Sequence, residues 1–175
     1  VAEPRDTHSD CPACEYRGQS RLTAAHDPSR ALELLAPVVE GDLTCGEEPR
    51  TSLADAAALR LSLGDVEGAV GDFRRSWHLS QDDPTAALPV ASCLRVLLRL
   101  GNTDRAVDLL LPRLAWLDGL PSPWDRMWFS ATAAHVLERA TVVGLAPAEV
   151  DGRPVADVVA DLRATADEIA AAFDA

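Results

Sequence analysis

Gly64-Asp65-Val66-Glu67-Gly68-Ala69-Val70-Gly71-Asp72-Phe73 is the stretch whose reading decides the fold. The Gly-Asp pair makes a turn. Ala69, Val70 and Phe73 then share one helical face at offsets 0, +1 and +4, with Trp77 following at +8. The pattern occurs twice more. Upstream, His26-Asp27 precedes Ala31, Leu32, Leu35 and Val39; downstream, Gly101-Asn102 precedes Ala106, Val107, Leu110 and Leu114. The three alanines are spaced 38 and 37 residues apart. That period is one helical hairpin, and such a unit buries its apolar face only by stacking on its neighbours. The expected fold is all-α: an αα-hairpin superhelix of about three units with C-terminal capping helices.

Helix and turn signals fill in the remainder. A first helix is expected from Cys11 to Ala25. Asp27 as N-cap and Pro28 at the first helical position open a second, which Gly41 ends. A loop from Asp42 to Pro49 leads to a helix over Thr51 to Leu63. Pro84 opens the third hairpin, whose first helix reaches Leu100 and whose return helix carries Leu114. Pro121-Ser122-Pro123 starts a helix to about Val142, Gly144 to Pro154 reads as a loop, and Val155 to Phe173 reads as the last helix. That helix sets Val155, Val158, Val159, Leu162, Ile169 and Phe173 on one side. The expected organisation is an N-terminal linker over 1–10, three hairpins over 11–120 and a helical cap over 121–175.

With 28 acidic residues, 16 basic ones (all arginine) and a net charge of −12, the chain repels phosphate backbones and anionic lipid heads. Nucleic acid and membrane surfaces are therefore not expected partners. Residues 1–10 lack the cationic start and apolar core of a signal peptide, and no apolar run reaches the length of a membrane span. A cytoplasmic location is expected. The Val start suggests a piece of a larger repeat protein, and the abundance of Ala, Arg, Asp and Gly resembles the codon bias of a high-GC bacterium.

Gly64-Asp65-x3-Ala69-Val70-x2-Phe73 resembles the turn and second helix of a tetratricopeptide repeat, in which a small residue five places after the glycine lets the two helices approach. Gly101-Asn102-x3-Ala106-Val107-x2-Leu110 is similar, and the His26 unit is degenerate. The interval exceeds the usual repeat length of about 34 residues. Leu53 and Val90 stand where an aromatic residue is expected early in each first helix. More narrowly, Ser9-Asp10-Cys11-Pro12-Ala13-Cys14 with Leu43-Thr44-Cys45-Gly46-Glu47 resembles the C-terminal section of long actinobacterial tetratricopeptide proteins. Several of those have a histidine just after the proline of that loop, where this chain has Arg50. The resemblance implies a protein- or peptide-binding scaffold with no enzyme activity.

Cys11 and Cys14 are three apart on the first turn of the first helix, so they share a face. An antiparallel hairpin returns its second helix to the level where the first began, and Cys45 lies in the loop just after that return. Cys-x2-Cys plus a distant cysteine supplies three of the four donors of a tetrahedral zinc site. Arg50 cannot ligate, which leaves His8, Asp10, Glu48 or His78 for the fourth place. His8, three residues before Cys11, is the expected donor. The expected metal set is thus Cys11, Cys14, Cys45 and His8, holding structural zinc, against the plain alternative of three unligated thiols.

Two other readings stand beside this one. Cys-Pro-Ala-Cys at a helix N-terminus also has the form of a thioredoxin-like redox motif, which normally follows a β-strand; oxidation-driven zinc release would make a sensor. The other reading is the sensory part of a larger regulator. Cys93, among Val90, Leu94 and Leu97, reads as a core residue, as does Trp77. Trp116, Trp124 and Trp128 read as a seal between the third hairpin and the cap, or as partner anchors. His135 reads as a structural residue, and Arg60, Arg95 and Arg99 are open either to acidic partners or to solvent.

Overall fold

The computed structural model describes residues 11–174. It is all-α: helix makes up 76% of it, in eight α-helices accompanied by one small sheet. In chain order these are α1 (Pro12–Ala24), α2 (Pro28–Val39), α3 (Arg50–Ser62), α4 (Val66–Ser80), α5 (Ala87–Arg99), α6 (Thr103–Leu110), α7 (Pro123–Val142) and α8 (Val155–Phe173). The chain divides into two compact units, one ending at Leu79 and the other beginning at Ser80. The expected linker over 1–10 lies outside the described residues.

In the first unit α1 and α2 form a hairpin. Asp27 caps α2, its carboxylate accepting the Arg30 N–H at 2.9 Å, and Pro28 occupies the first helical position, where no intrahelical donor is needed. The buried Ser20 hydroxyl donates to the Ala31 carbonyl at 2.8 Å and ties the two helices together. Ala31, Leu35 and Val39 of α2 build a core with Leu53, Ala56 and Leu59 of α3. α4 runs back along α3: the Ser76 hydroxyl donates to the Arg50 carbonyl at 2.7 Å, and Arg60 near the end of α3 pairs with Asp72 at 2.8 Å. The turn between them needs φ of +81° at Gly64, a backbone state that a side chain disfavours. Asp65 caps it by accepting the Gly68 N–H at 2.9 Å.

In the second unit a 3-10 turn over Pro84–Ala86 leads into α5, and α7 packs against α5, α6 and α8. Three sequence expectations are corrected here. The return helix α6 stops at Leu110, because Pro112 has no N–H to give to the helical ladder; the chain continues as a 3-10 helix over Leu111–Gly119, and Leu114 lies on that segment. The expected loop before α8 contains a β-hairpin, β1 (Glu149–Val150) against β2 (Arg153–Pro154), turned by Asp151 and Gly152 at φ +52° and +75°. Two adjacent positive φ values make the tight turn that matches strand twist. Lastly, α8 buries Leu162 and Ala166 but leaves Phe173 57% exposed.

Ala31, Ala69 and Ala106, the small residues of the three matched segments, are each wholly buried. Cys93 is buried in α5 as a core residue. Trp77 is half-buried and stacks on Phe73, with ring centroids 6.3 Å apart. No helix among the described residues is long and apolar enough to cross a membrane.

Candidate metal centre

Three local features bring the cysteines together. Cys11 is the N-cap residue of α1 and Cys14 lies within its first turn, so both thiols stand at the positive end of the helix. Beyond α2 the chain folds back, with the Leu43 N–H donating to the Pro37 carbonyl at 3.0 Å and the Glu48 N–H to the Cys45 carbonyl at 3.3 Å. Arg17, one turn after Cys14, holds that loop against α1. Its guanidinium reaches Glu47 at 3.3 Å and Glu48 at 2.9 Å.

The result is a cluster in which the Cys11, Cys14 and Cys45 sulfurs lie within 4.8 Å of one another, each residue half-buried. Cys14 Sγ and Cys45 Sγ are 3.7 Å apart. A zinc–sulfur bond of about 2.3 Å puts the sulfurs of a tetrahedral site about 3.8 Å apart. The Cys14–Cys45 pair has that spacing, and three soft thiols within 4.8 Å of one another are compatible with zinc. The three do not share their protons equally. The hydrogen bond from the Cys45 thiol is the main influence holding the Cys11 thiol below its ordinary value. Burial, with Cys11 and Cys45 adding to it, pushes the Cys14 thiol up to about 12.

Among the described residues no other histidine, cysteine or carboxylate joins this cluster. His78 is exposed on α4 and lies outside it. The Glu48 carboxylate is committed elsewhere: Oε2 accepts the Ser52 N–H at 2.9 Å, while Oε1 faces Arg17 in an ion pair and accepts no hydrogen bond. His8, the expected fourth donor, lies outside the described residues, as does Asp10. Sequence reasoning missed Arg17, and it considered Glu48 as a metal donor and not as the partner of that arginine. An arginine three residues after Cys14 and the acidic pair after Cys45 were the available signals, but their pairing spans 30 residues of chain.

A second surface belongs to the C-terminal unit. Trp116 stacks on Phe129 at 6.2 Å and joins the interior there. Trp124 and Trp128 are partly exposed. Trp128 lies under the Arg95 guanidinium at 5.6 Å, and Trp124 meets Phe173 edge-on at 5.8 Å. His135, expected as a structural residue, is exposed and faces a groove shared with Arg95. Arg60 is engaged by Asp65 and Asp72 within its own hairpin. Comparison with protein-family models, curated proteins and solved structures finds no significant match to this chain.

Proposed function

We propose that this chain is a tetratricopeptide-like scaffold that docks a protein or peptide and holds a structural zinc ion through Cys11, Cys14 and Cys45. The observation that carries the reading is the meeting of three thiols, from the start of α1 and from the loop after α2, within 4.8 Å. Zinc bound there ties the loop to the helix and adds its binding free energy to folding. His8 is the candidate for the remaining position. The buried alanines at the three matched positions support the repeat reading, since each lets two helices approach. Docking of a protein or peptide is what stacked hairpins with extended concave faces do. A reducing, cytoplasmic setting goes with the reading, because the thiols must stay unoxidised to ligate.

Metal analysis of protein purified under reducing conditions tests it. The expected result is close to one zinc per chain, lost in Cys45→Ala; metal-free wild-type protein overturns it. A second reading, thiol redox work by Cys11 and Cys14, has one observation in its favour, the lowered Cys11 thiol beside a raised Cys14. Metal-free protein whose Cys11 alkylates rapidly at neutral pH favours that reading instead.

A further inference from the structure

In the C-terminal unit, basic side chains gather along one groove. Arg95 and Arg99 are one turn apart on α5, His135 and Arg139 one turn apart on α7, and all four are exposed. They line two adjoining hollows, of about 220 and 430 Å³, that share Arg95 and His135. Trp128 forms one end, stacked under Arg95 and touching Trp124 at 5.9 Å between ring centroids. Arg163 borders the same end, but its guanidinium is taken by both Glu138 oxygens, at 2.9 and 2.5 Å.

Like charges one turn apart on a helix, as at Arg95 and Arg99, repel one another. This chain has 28 acidic residues against 16 basic ones, so carboxylates to pair with are plentiful. Yet among the described residues neither Arg95 nor Arg139 meets a carboxylate within ion-pairing distance. A groove of this make-up, in a protein of net charge −12, is complementary to a ligand that brings its own carboxylates. The exposed indole of Trp128 beside Arg95 supplies an apolar step for a neighbouring side chain. An extended polyanion would meet the surrounding negative field beyond a Debye length of about 8 Å, whereas a short segment stays within the groove.

We propose that the groove between α5 and α7 docks a short acidic peptide segment of a partner protein, with carboxylates on Arg95 and Arg139 and an apolar side chain against Trp128. This rests on the protein-docking reading above and names the partner's chemistry.

Fluorescence anisotropy with the full chain tests it, using a labelled glutamate-rich peptide containing one leucine, its glutamine counterpart, and single-stranded DNA as probes. The glutamate peptide is expected to bind best and to weaken with salt. Arg95→Glu with Arg139→Glu is expected to reduce its affinity by about tenfold or more. Arg105→Glu, an exposed position on α6 outside the groove, makes the charge control and is expected to change it by less than about twofold. Arg139→Gln alone keeps the Arg95–Trp128 stack and is expected to weaken binding in the same direction should the double variant fail to fold. Equal losses in the groove and control variants overturn the assignment. So does the absence of glutamate-peptide binding, or preferential DNA binding that the groove variants abolish. Capture from the native cell separates the two levels: a partner retained equally by wild type and groove variant removes this groove but leaves the scaffold, whereas no partner on either removes the scaffold reading.

Discussion

Arg17 of α1 stands 2.9 Å from the Glu48 carboxylate, whose side chain is wholly buried, and this pair fixes the loop that delivers Cys45 to Cys11 and Cys14. The thiol cluster therefore depends on an ion pair outside it. Burial raises the Glu48 carboxyl above its ordinary 4.5, even with Arg17 and the Ser52 N–H opposing.

Two outcomes follow from that pair. Arg17→Ala leaves the buried carboxylate without its counter-charge and is expected to cost about 2 kcal/mol of stability while weakening zinc binding. A carboxyl raised by folding contributes stability that is complete below its unfolded pKa and is lost as pH rises through the folded one. Glu48→Gln removes that dependence, so the variant gains on the wild type as pH rises from about 4 toward neutrality. Thermal melts of both proteins across this range check the sign; a difference that stays flat or runs the other way contradicts it.

The matched alanines give a second expectation. Ala31 in the first unit and Ala106 in the second are wholly buried. Leucine at either position overpacks the approach of two helices and is expected to cost about 1–3 kcal/mol. Ala164→Leu on the exposed side of α8 is the comparison, expected within about 0.5 kcal/mol of wild type. Chemical denaturation measures all three; tolerance of leucine at both buried sites contradicts the close-approach reading.

Zinc loading should also release protons. With its pKa pushed up to about 12, the metal-free Cys14 thiol carries its proton at neutral pH. Ligation requires the thiolate, so loading expels that proton and affinity falls as pH falls. Titration in buffers of different ionisation enthalpy reads the release directly; pH-independent binding with no proton released excludes ligation by Cys14.

Much of the fold was legible because its signals are local. Asp27-Pro28 and Ser122-Pro123 mark helix starts by supplying an acceptor and dispensing with a donor, and the structure starts α2 and α7 there. The early end of α6 was legible too, in Pro112, but the repeat pattern through Leu114 outweighed it. The β-hairpin hid in a stretch read as loop, although Asp151-Gly152 is a strong two-residue turn signal. At the candidate metal site, Cys11 and Cys14 follow from helical spacing and Cys45 from the return of a hairpin, and the structure brings these three together. The groove was not legible. The pairs Arg95/Arg99 and His135/Arg139 show in the sequence, but that they face one hollow depends on α7 lying beside α5, which no local pattern states.

The thiol centre is tested most directly by zinc K-edge X-ray absorption on the purified, reduced protein. The expected spectrum has three sulfur neighbours at about 2.3 Å and one nitrogen or oxygen neighbour at about 2.0–2.1 Å. It should lose one sulfur in Cys45→Ser. A first shell of oxygen and nitrogen alone, or one that Cys45→Ser leaves unchanged, contradicts a metal centre built from Cys11, Cys14 and Cys45.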